Sequence, residues 1–433
     1  MTTFVERVLR PLTTGGVRQS TFTLISSALG GGIMCIPYVM LLGGWLIGVL
    51  MLTFAAVLAY YSMTILFMSS NKTGIYSYGA LLSFSTSPIA GPILDIVIVL
   101  YGSGVVIAYY VFLGDFLPSL AEGLGITILT NRSLCLALCC VGSIPFALPR
   151  KLSALQYISP VSTVALVLTA IVALVRLPRM SAQLPFEKAE LDIALIGLPL
   201  LKCFTISLFA FICHMNVVSV AGELHHPTES RARKIAFRSA STQLLFYIVI
   251  GLSGYISFGK AVNQNFITNY PSDDPLILVC RLLLTLTIFF ALPINTNPIA
   301  NAFVHLLLTS GLAPDHTGLD IETPLVSSGS ISPSNAAISV EVEPLKKMRI
   351  GMAVYVLIQG MLVALYAPGV ADVISILGGS FGTLIMLVCP AIIFCSVFKD
   401  KLRDFNTKIM IALLVIASFT SLAAVVATFL NLI

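Results

Sequence analysis

Long apolar stretches separated by short polar connections run along almost the whole chain of 433 residues. A helix needs about 20 mostly apolar residues to cross a bilayer, and eleven stretches have this character. They lie near residues 20–42, 44–69, 91–117, 133–149, 153–177, 193–221, 235–258, 275–310, 349–366, 372–397 and 409–432. The pattern therefore predicts an all-α integral membrane protein with eleven transmembrane helices.

The polar segments predict a simple domain organisation. Residues 1–19 precede the first apolar stretch and form an N-terminal segment, and residues 20–433 form a single transmembrane domain. Within that domain, residues 311–345 are polar and rich in Ser and Pro, which is typical of a flexible loop. With the N-terminus in the cytosol, seventeen Lys and Arg residues lie on the cytosolic side and five on the other. This bias predicts a cytosolic N-terminus, a cytosolic 311–345 loop and an outside or lumenal C-terminus.

Composition narrows the class of protein. Hydrophobic residues make up 57% of the chain and charged residues only 10%, whereas soluble domains carry about 25% charged residues. This excludes an ordinary soluble enzyme, and the 24 scattered basic residues form no patch that would bind nucleic acid. All nine cysteines lie in apolar stretches without metal-ligand spacing, so we expect neither a metal site nor a cofactor.

The first apolar stretch contains an interruption. Gly30, Gly31 and Gly32 are followed by Pro37, a combination that disfavours a continuous helix. A broken helix in the membrane exposes backbone groups that can bind a substrate or an ion. The alternative is that the glycines only allow close packing between helices.

The sixth apolar stretch carries a second polar interruption. His214 and Asn216 lie within it, where an ionisable group is costly and is usually functional. The alternative is a histidine with a purely structural role. Interruptions in the first and sixth of the spans fit two five-helix halves of inverted topology.

The chain contains an ordered series of motifs, and through them it resembles the amino acid/auxin permeases, particularly the branch with the neutral amino acid transporters of animals. The motifs are Gly30, Gly32, Ile33 and Pro37, Tyr109 to Asp115, the run FAFICH from Phe209 to His214, Gly222-Glu223-Leu224, Gly254-Tyr255, Asp273-Asp274, Arg281, Pro293, Gly378 to Gly382 and Pro390. The resemblance implies a five-plus-five inverted repeat with broken helices 1 and 6. It also implies a secondary active transporter that moves amino acids by alternating access.

The resemblance further implies where the substrate binds. It places the carboxylate and amino groups of the substrate at the backbone of two short segments, and two aromatic side chains around the pocket or its gate. The residues are Gly30, Gly31, Gly32, Ala210, Phe211 and Ile212, with Phe209 and Phe211 as the aromatic residues. Tyr109 is a weaker candidate for the same pocket.

Two departures from the family pattern bear on coupling. Sodium-coupled members resemble one another in having Asn where this chain has Ser26, and Thr where it has Phe289 to Leu292. We therefore expect proton-coupled or facilitative transport rather than sodium coupling. His214 and Glu223 are the candidate proton carriers, with Ser26 as a further coupling or gating residue. On this hypothesis uptake rises at low outer pH, and His214→Ala flattens that dependence.

Other polar positions within the spans allow more than one interpretation. Asn295-Thr296-Asn297 lies between two prolines, and Asn295 is a candidate substrate-binding residue. The alternative is that these side chains satisfy carbonyl groups freed by the prolines. Lys202 is interpreted as snorkelling to an interface, and Asp372 as solvated at the end of a span.

The sequence thus predicts a transporter without enzymatic chemistry, whose partners are an amino acid, a proton as candidate co-substrate, and the lipid bilayer. We expect it in the plasma membrane or in an acidic endomembrane compartment. The alternatives are transport of a related cationic metabolite such as a polyamine, an amino acid-sensing receptor on the same fold, and a channel.

Overall fold

The computed structural model describes residues 15–148, 158–185, 190–309, 343–367, 369–400 and 405–431. Helices and short connections account for these residues, and none of them forms a strand, so the prediction of an all-α membrane protein is confirmed. The predicted N-terminal segment lies outside the described residues as far as residue 14. Residues 311–342 of the predicted loop also lie outside the described residues, and its last three residues, 343–345, begin a helix.

The helices follow one another in the order of the predicted apolar stretches. Fourteen α-helices are described: α1 Val17–Ala28, α2 Ile36–Thr73, α3 Tyr78–Ser85, α4 Ala90–Gly123, α5 Arg132–Ala147, α6 Ile158–Ala182, α7 Pro199–Ala210, α8 His214–Glu223, α9 Glu229–Phe258, α10 Pro275–Thr309, α11 Glu343–Tyr366, α12 Val370–Leu377, α13 Cys389–Val397 and α14 Phe405–Asn431. A 3₁₀ helix over Gly31–Cys35 leads into α2, and the π-helical turns Gly378–Gly382 and Leu384–Val388 join α12 to α13.

Nine helical stretches of the described chain are long and apolar enough to cross a bilayer by themselves, against the eleven spans predicted. The difference has two physical sources. Gly31–Thr73 runs through the second half of the first predicted span and all of the second, with a non-helical Gly44 between them. The helix α5 is apolar but has only 16 residues, about 24 Å at the rise of an α-helix.

Gly44 is required by the turn between those two spans. Its φ of 76° lies in the left-handed region, which favours glycine. A Cβ atom there would also stand only 2.6 Å from the carbonyl oxygen of Ile193. The amides of Trp45 and Leu46 donate to the carbonyls of Asp192 and Ile193, both at 3.0 Å. The turn after the first span is thereby attached to the segment that leads into α7.

The two halves of the chain pack through corresponding helices. The second span, within α2, packs extensively on α9, and α4 packs extensively on α10. These are the second and seventh, and the third and eighth, of the predicted spans, so equivalent members of the two halves meet. The broken helices pack on the first of these pairs, α1 on α9 and both α7 and α8 on α2.

Candidate functional site

The first span is broken at the position that its glycines predict. The α-helix α1 ends at Ala28, and Gly30 has an extended backbone with φ −122° and ψ −157°. The following 3₁₀ helix begins at Gly31. The first amides of a helix have no acceptor within it, so those of Gly31 and Gly32 are available as hydrogen-bond donors.

The sixth span is broken as well. The helix α7 ends at Ala210 and α8 begins at His214, with Phe211 to Cys213 between them. The amides of Phe211 and Ile212 turn back to the carbonyls of Leu208 and Phe209 at 3.0 and 3.1 Å. The amide groups that begin α8 have no acceptor within that helix. Both breaks therefore present backbone groups inside the bundle.

Tyr247 of α9 connects the two breaks. Its hydroxyl donates a hydrogen bond to the carbonyl oxygen of Ala210, and it lies 3.5 Å from the carbonyl oxygen of Ala28. Its ring packs edge-to-face on Phe211, with the ring centres 5.0 Å apart. Sequence reasoning missed this residue, because one tyrosine among fourteen carries no local signal in an apolar helix.

A group of half-buried polar side chains lies beside the first break. The Tyr109 hydroxyl is 3.5 Å from the position that a Cβ on Gly30 would occupy. The same tyrosine lies close to the side chain of Asn295 on α10. These three residues, predicted separately, therefore come together at one place.

The side chains of the polar run Asn295-Thr296-Asn297 make contacts on two sides of α10. All three side chains bond to the carbonyl four residues earlier, those of Ala291, Leu292 and Pro293, at 2.8 to 3.1 Å. The carbonyls freed by the two prolines belong to Phe289 and Ile294 instead. These side chains therefore do not bond to the carbonyl groups freed by the prolines, which was the alternative interpretation. Asn297 additionally accepts a hydrogen bond from Arg349 of α11 at 2.9 Å.

The remaining predicted binding residues line or support the same breaks. A Cβ on Gly32 would lie 3.2 Å from the ring of half-buried Phe209, whereas one on Gly31 would meet the ring of Phe112 at 2.5 Å. Gly31 is thus packed against α4. Ala210, Phe211 and Ile212 are buried.

Ser26 and the phenylalanines of α10 lie in different surroundings. The hydroxyl of Ser26 is buried without a hydrogen-bond partner among the described residues. Phe289 and Phe290 pack on Phe146 of α5, at ring-centre distances of 6.2 and 5.6 Å. These rings therefore belong to the contact between α10 and α5.

His214 is fully buried and faces α2. Its Nε2 lies 2.7 Å from Oγ of Ser62, which also bonds to the carbonyl of Leu58 at 2.8 Å. Glu223 is at the other end of α8 and is exposed, about 13 Å along the helix at 1.5 Å per residue. The structure does not bring the two candidate proton carriers together.

An ion pair joins α7 and α12 at one end of the bundle, which we call the outer end after the topology predicted from the sequence. Lys202 of α7 pairs with Asp372 of α12, and Gln264 of the loop between α9 and α10 donates to the same carboxylate at 3.1 Å. The ammonium of Lys202 also lies 5.8 Å from the ring centre of Tyr38 on α2. The interpretation of Asp372 as solvated and Lys202 as snorkelling is wrong, since each neutralises the other within the protein.

The loop that carries Gln264 is anchored at several points. The guanidinium of buried Arg281 donates to the carbonyls of Ile267, Tyr270 and Pro271 at 2.7 to 3.3 Å. Arg176 of α6 donates to Asp274 at 2.8 Å. Asn265 donates to Asp115, which also pairs with Arg132. The loop is therefore fixed to α4, α6 and α10 while its Gln264 contacts α12.

The opposite end of the bundle, the inner end, is closed by backbone contact. The amide of His225 donates to the carbonyl of Gly15 at 3.0 Å, just before α1 begins. Gly15 has a φ of 71°, and a Cβ there would lie 2.5 Å from the carbonyl oxygen of Glu223. The start of α1 is thus held against the end of α8. No group of three His, Cys, Asp or Glu side chains that could hold a metal occurs in the described part of the chain.

Comparisons with known proteins agree with this geometry. Residues 13–433 match the family described as transmembrane amino acid transporter protein. A Saccharomyces cerevisiae protein, vacuolar amino acid transporter 6, is 28% identical over 408 residues, which cover 87% of this chain and 89% of that protein. A Toxoplasma gondii protein that carries the name amino acid transporter AAT1 is 32% identical over 312 residues. That match covers 71% of this chain but only 43% of the Toxoplasma protein.

Solved structures share the fold at low sequence identity. MhsT in complex with L-phenylalanine superposes with a TM-score of 0.55 at 14% identity, over 95% of this chain and 98% of MhsT. A Na⁺-coupled sialic acid symporter gives a TM-score of 0.52 at 14% identity, over 96% of this chain and 90% of the symporter. The architecture is therefore that of inverted-repeat transporters with discontinuous helices, and this part of the predicted fold is confirmed, whereas the count of eleven spans is not.

Proposed function

Because the chain belongs to the transmembrane amino acid transporter protein family, we propose that it is a secondary transporter that carries amino acids across a membrane by alternating access. The observation that supports this most directly is the meeting of two broken helices in the middle of the bundle. Free amide groups begin at Gly31 and at His214, while carbonyl groups end α1 and α7. An amino acid has a carboxylate for the amide groups and an ammonium group for carbonyl oxygens of the two breaks other than those of Ala28 and Ala210, which face Tyr247.

The polar group beside the first break provides a candidate for selectivity. Tyr109 and Asn295 are neutral, can both donate and accept hydrogen bonds, and adjoin Gly30. Half-buried Phe209, whose ring centre lies 6.2 Å from that of Tyr101, adds an aromatic wall. We propose that the substrate backbone binds at the two breaks, with its side chain towards Asn295 and Phe209.

The contacts at the two ends fit a form that is closed on both sides. Lys202 and Asp372 close the outer end, and Gly15 with His225 closes the inner end. Alternating access requires one set of contacts to open while the other holds. We propose that these contacts separate in turn, without enzymatic chemistry on the substrate.

The yeast relative is named as vacuolar, and on this basis we propose an endomembrane location. We propose proton-coupled or facilitative transport rather than sodium coupling. A fluorescent fusion imaged together with markers of the plasma membrane and of acidic compartments tests the location.

Uptake into proteoliposomes tests the function. Purified protein is reconstituted, a panel of radiolabelled L-amino acids is offered, and proton and sodium gradients are imposed separately. We expect saturable uptake and counterflow for a subset of the panel, with a changed order of preference in Asn295→Ala. Binding without counterflow would support a receptor instead, and non-saturating flux would support a channel.

A further inference from the structure

Tyr247 lies where two helix ends meet. The carbonyl groups that end a helix have no partner within it and carry partial negative charge. Here the carbonyls of Ala28 and Ala210, at the ends of α1 and α7, both face the hydroxyl of Tyr247. The carbonyl of Ala28 also accepts a hydrogen bond from the amide of Gly30 at 2.8 Å. A single O–H group of α9 thus stands between two acceptors from the two broken helices.

Such a position is chemically suited to a cation. Carbonyl oxygens of unwound segments and of helix C-terminal ends are the groups that coordinate coupling ions in transporters with broken helices. In this chain the O–H group of Tyr247 donates to the carbonyl oxygen of Ala210 and lies 3.5 Å from that of Ala28, on a side chain that stays within the protein. The ring of Tyr247 is fully buried and is held edge-to-face against Phe211, the first residue of the second break.

We infer that the hydroxyl of Tyr247 takes the place of a coupling cation between the two breaks, so that the protein holds α1 and α7 together without binding sodium there. Tyr247 is a positioning residue in this scheme, since it fixes the carbonyl groups beside the substrate. The inference rests on the proposed transport function and extends it to the choice of ion. It uses none of the residues on which sodium independence is predicted from the sequence.

Three variants separate this role from simple packing. Tyr247→Phe keeps the ring on Phe211 and removes only the oxygen atom. Tyr247→Asn makes room between the carbonyls and supplies an amide oxygen as an additional ligand. Tyr110→Phe is the matched control, because it removes another buried tyrosine hydroxyl, one that lies 3.5 Å from Ser143 and contacts neither break.

Sodium binding is measured on purified protein in lipid nanodiscs, as binding of radioactive sodium and as the melting temperature in sodium chloride against choline chloride. We expect no saturable binding and equal melting temperatures for the wild type. We expect Tyr247→Asn to gain saturable sodium binding with a higher melting temperature in sodium. In uptake assays Tyr247→Phe should lose about tenfold in rate relative to Tyr110→Phe, because the buried carbonyl of Ala210 loses its donor.

Saturable sodium binding to the wild type that is altered in the Tyr247 variants would overturn the inference. So would a Tyr247→Phe protein with the melting temperature and uptake rate of Tyr110→Phe. If Tyr247→Asn fails to fold, the comparison of the two phenylalanine variants still decides. Absence of amino acid uptake by a wild type that binds no sodium would instead reject the proposed function, because the sodium measurements need no substrate.

Discussion

Nε2 of His214 and Oγ of Ser62 lie 2.7 Å apart, and this contact joins the second half of the broken sixth span to α2. Both side chains are fully buried. The histidine therefore acts as a hydrogen-bonding partner between two helices.

We expect His214→Ala to lower the melting temperature, because it leaves a cavity and removes the partner of Ser62, at a cost of about 1–3 kcal/mol. Any pH dependence of uptake should survive in the protein that remains folded. The measurement is the melting temperature together with uptake at several outer pH values, with His214→Gln as the variant that retains a donor. A flattened pH profile in a His214→Ala protein of normal stability would instead support His214 as the proton carrier.

Gly30 offers a direct probe of the proposed binding site. A Cβ atom there would be 3.5 Å from the Tyr109 hydroxyl, an ordinary contact, so Gly30→Ala should fold. The added methyl group occupies the space beside the first break, and we expect KM to rise by about tenfold, equivalent to about 1.4 kcal/mol of binding energy. Gly351→Ala on α11 is the control, since a Cβ there meets nothing within 4 Å. Equal KM values for the two variants would place the substrate elsewhere.

The ion pair between Lys202 and Asp372 should contribute to closure of the outer end. Removing one partner leaves a charge that is largely enclosed, and breaking such pairs typically costs about 3–5 kcal/mol. We expect Lys202→Met and Asp372→Asn each to reduce uptake strongly. The exchange Lys202→Asp with Asp372→Lys should restore part of it. Failure of the exchange to exceed either single variant would show that the pair itself is not what matters.

Asp274 lies outside the spans and predicts a pH effect on stability. Burial alone would raise its pKa, but hydrogen bonds from Arg176 and from the amides of Ile277 and Leu276 hold the pKa below the ordinary value of 3.8. Its contribution is therefore complete above that value and is lost as the pH falls through the lower folded value. We expect Asp274→Asn to cost about 1.5–3 kcal/mol at neutral pH and progressively less in strong acid.

Melting temperatures of the wild type and of Asp274→Asn across the acid range provide the measurement. Asp273→Asn is the control, because this neighbouring carboxylate is exposed. A constant difference between wild type and Asp274→Asn down to the most acidic condition would contradict the assignment of the effect to the carboxylate charge.

The sequence predicts the fold well because its signals are strong and local. Apolar length gives the spans, and three glycines before Pro37 give the first break. The sequence is less informative about partners that lie far apart along the chain. The pairing of Lys202 with Asp372 joins residues 170 positions apart, and no pattern around either residue indicates the other.

The same limitation applies at the binding site. Phe289 and Phe290 occupy positions where the family pattern leads us to expect oxygen-bearing side chains, but their rings face α5. Which face of α10 these two residues occupy is decided by helix packing. The sequence pattern does not identify Tyr247, because its role depends on where two other helices end. Asn295 is identifiable because three polar residues in a row are rare within a span.

The neutrality of the group formed by Gly30, Tyr109 and Asn295 has an electrical consequence. With the uncharged hydroxyl of Tyr247 between the breaks, neither the empty nor the loaded centre carries a fixed charge from these residues. The membrane voltage, worth about 2.3 kcal/mol per elementary charge per 100 mV, then acts only on the charge of the cargo and of any accompanying proton. A zwitterionic amino acid travelling alone would cross without generating current, whereas a cationic one would be drawn towards the negative side by the voltage itself.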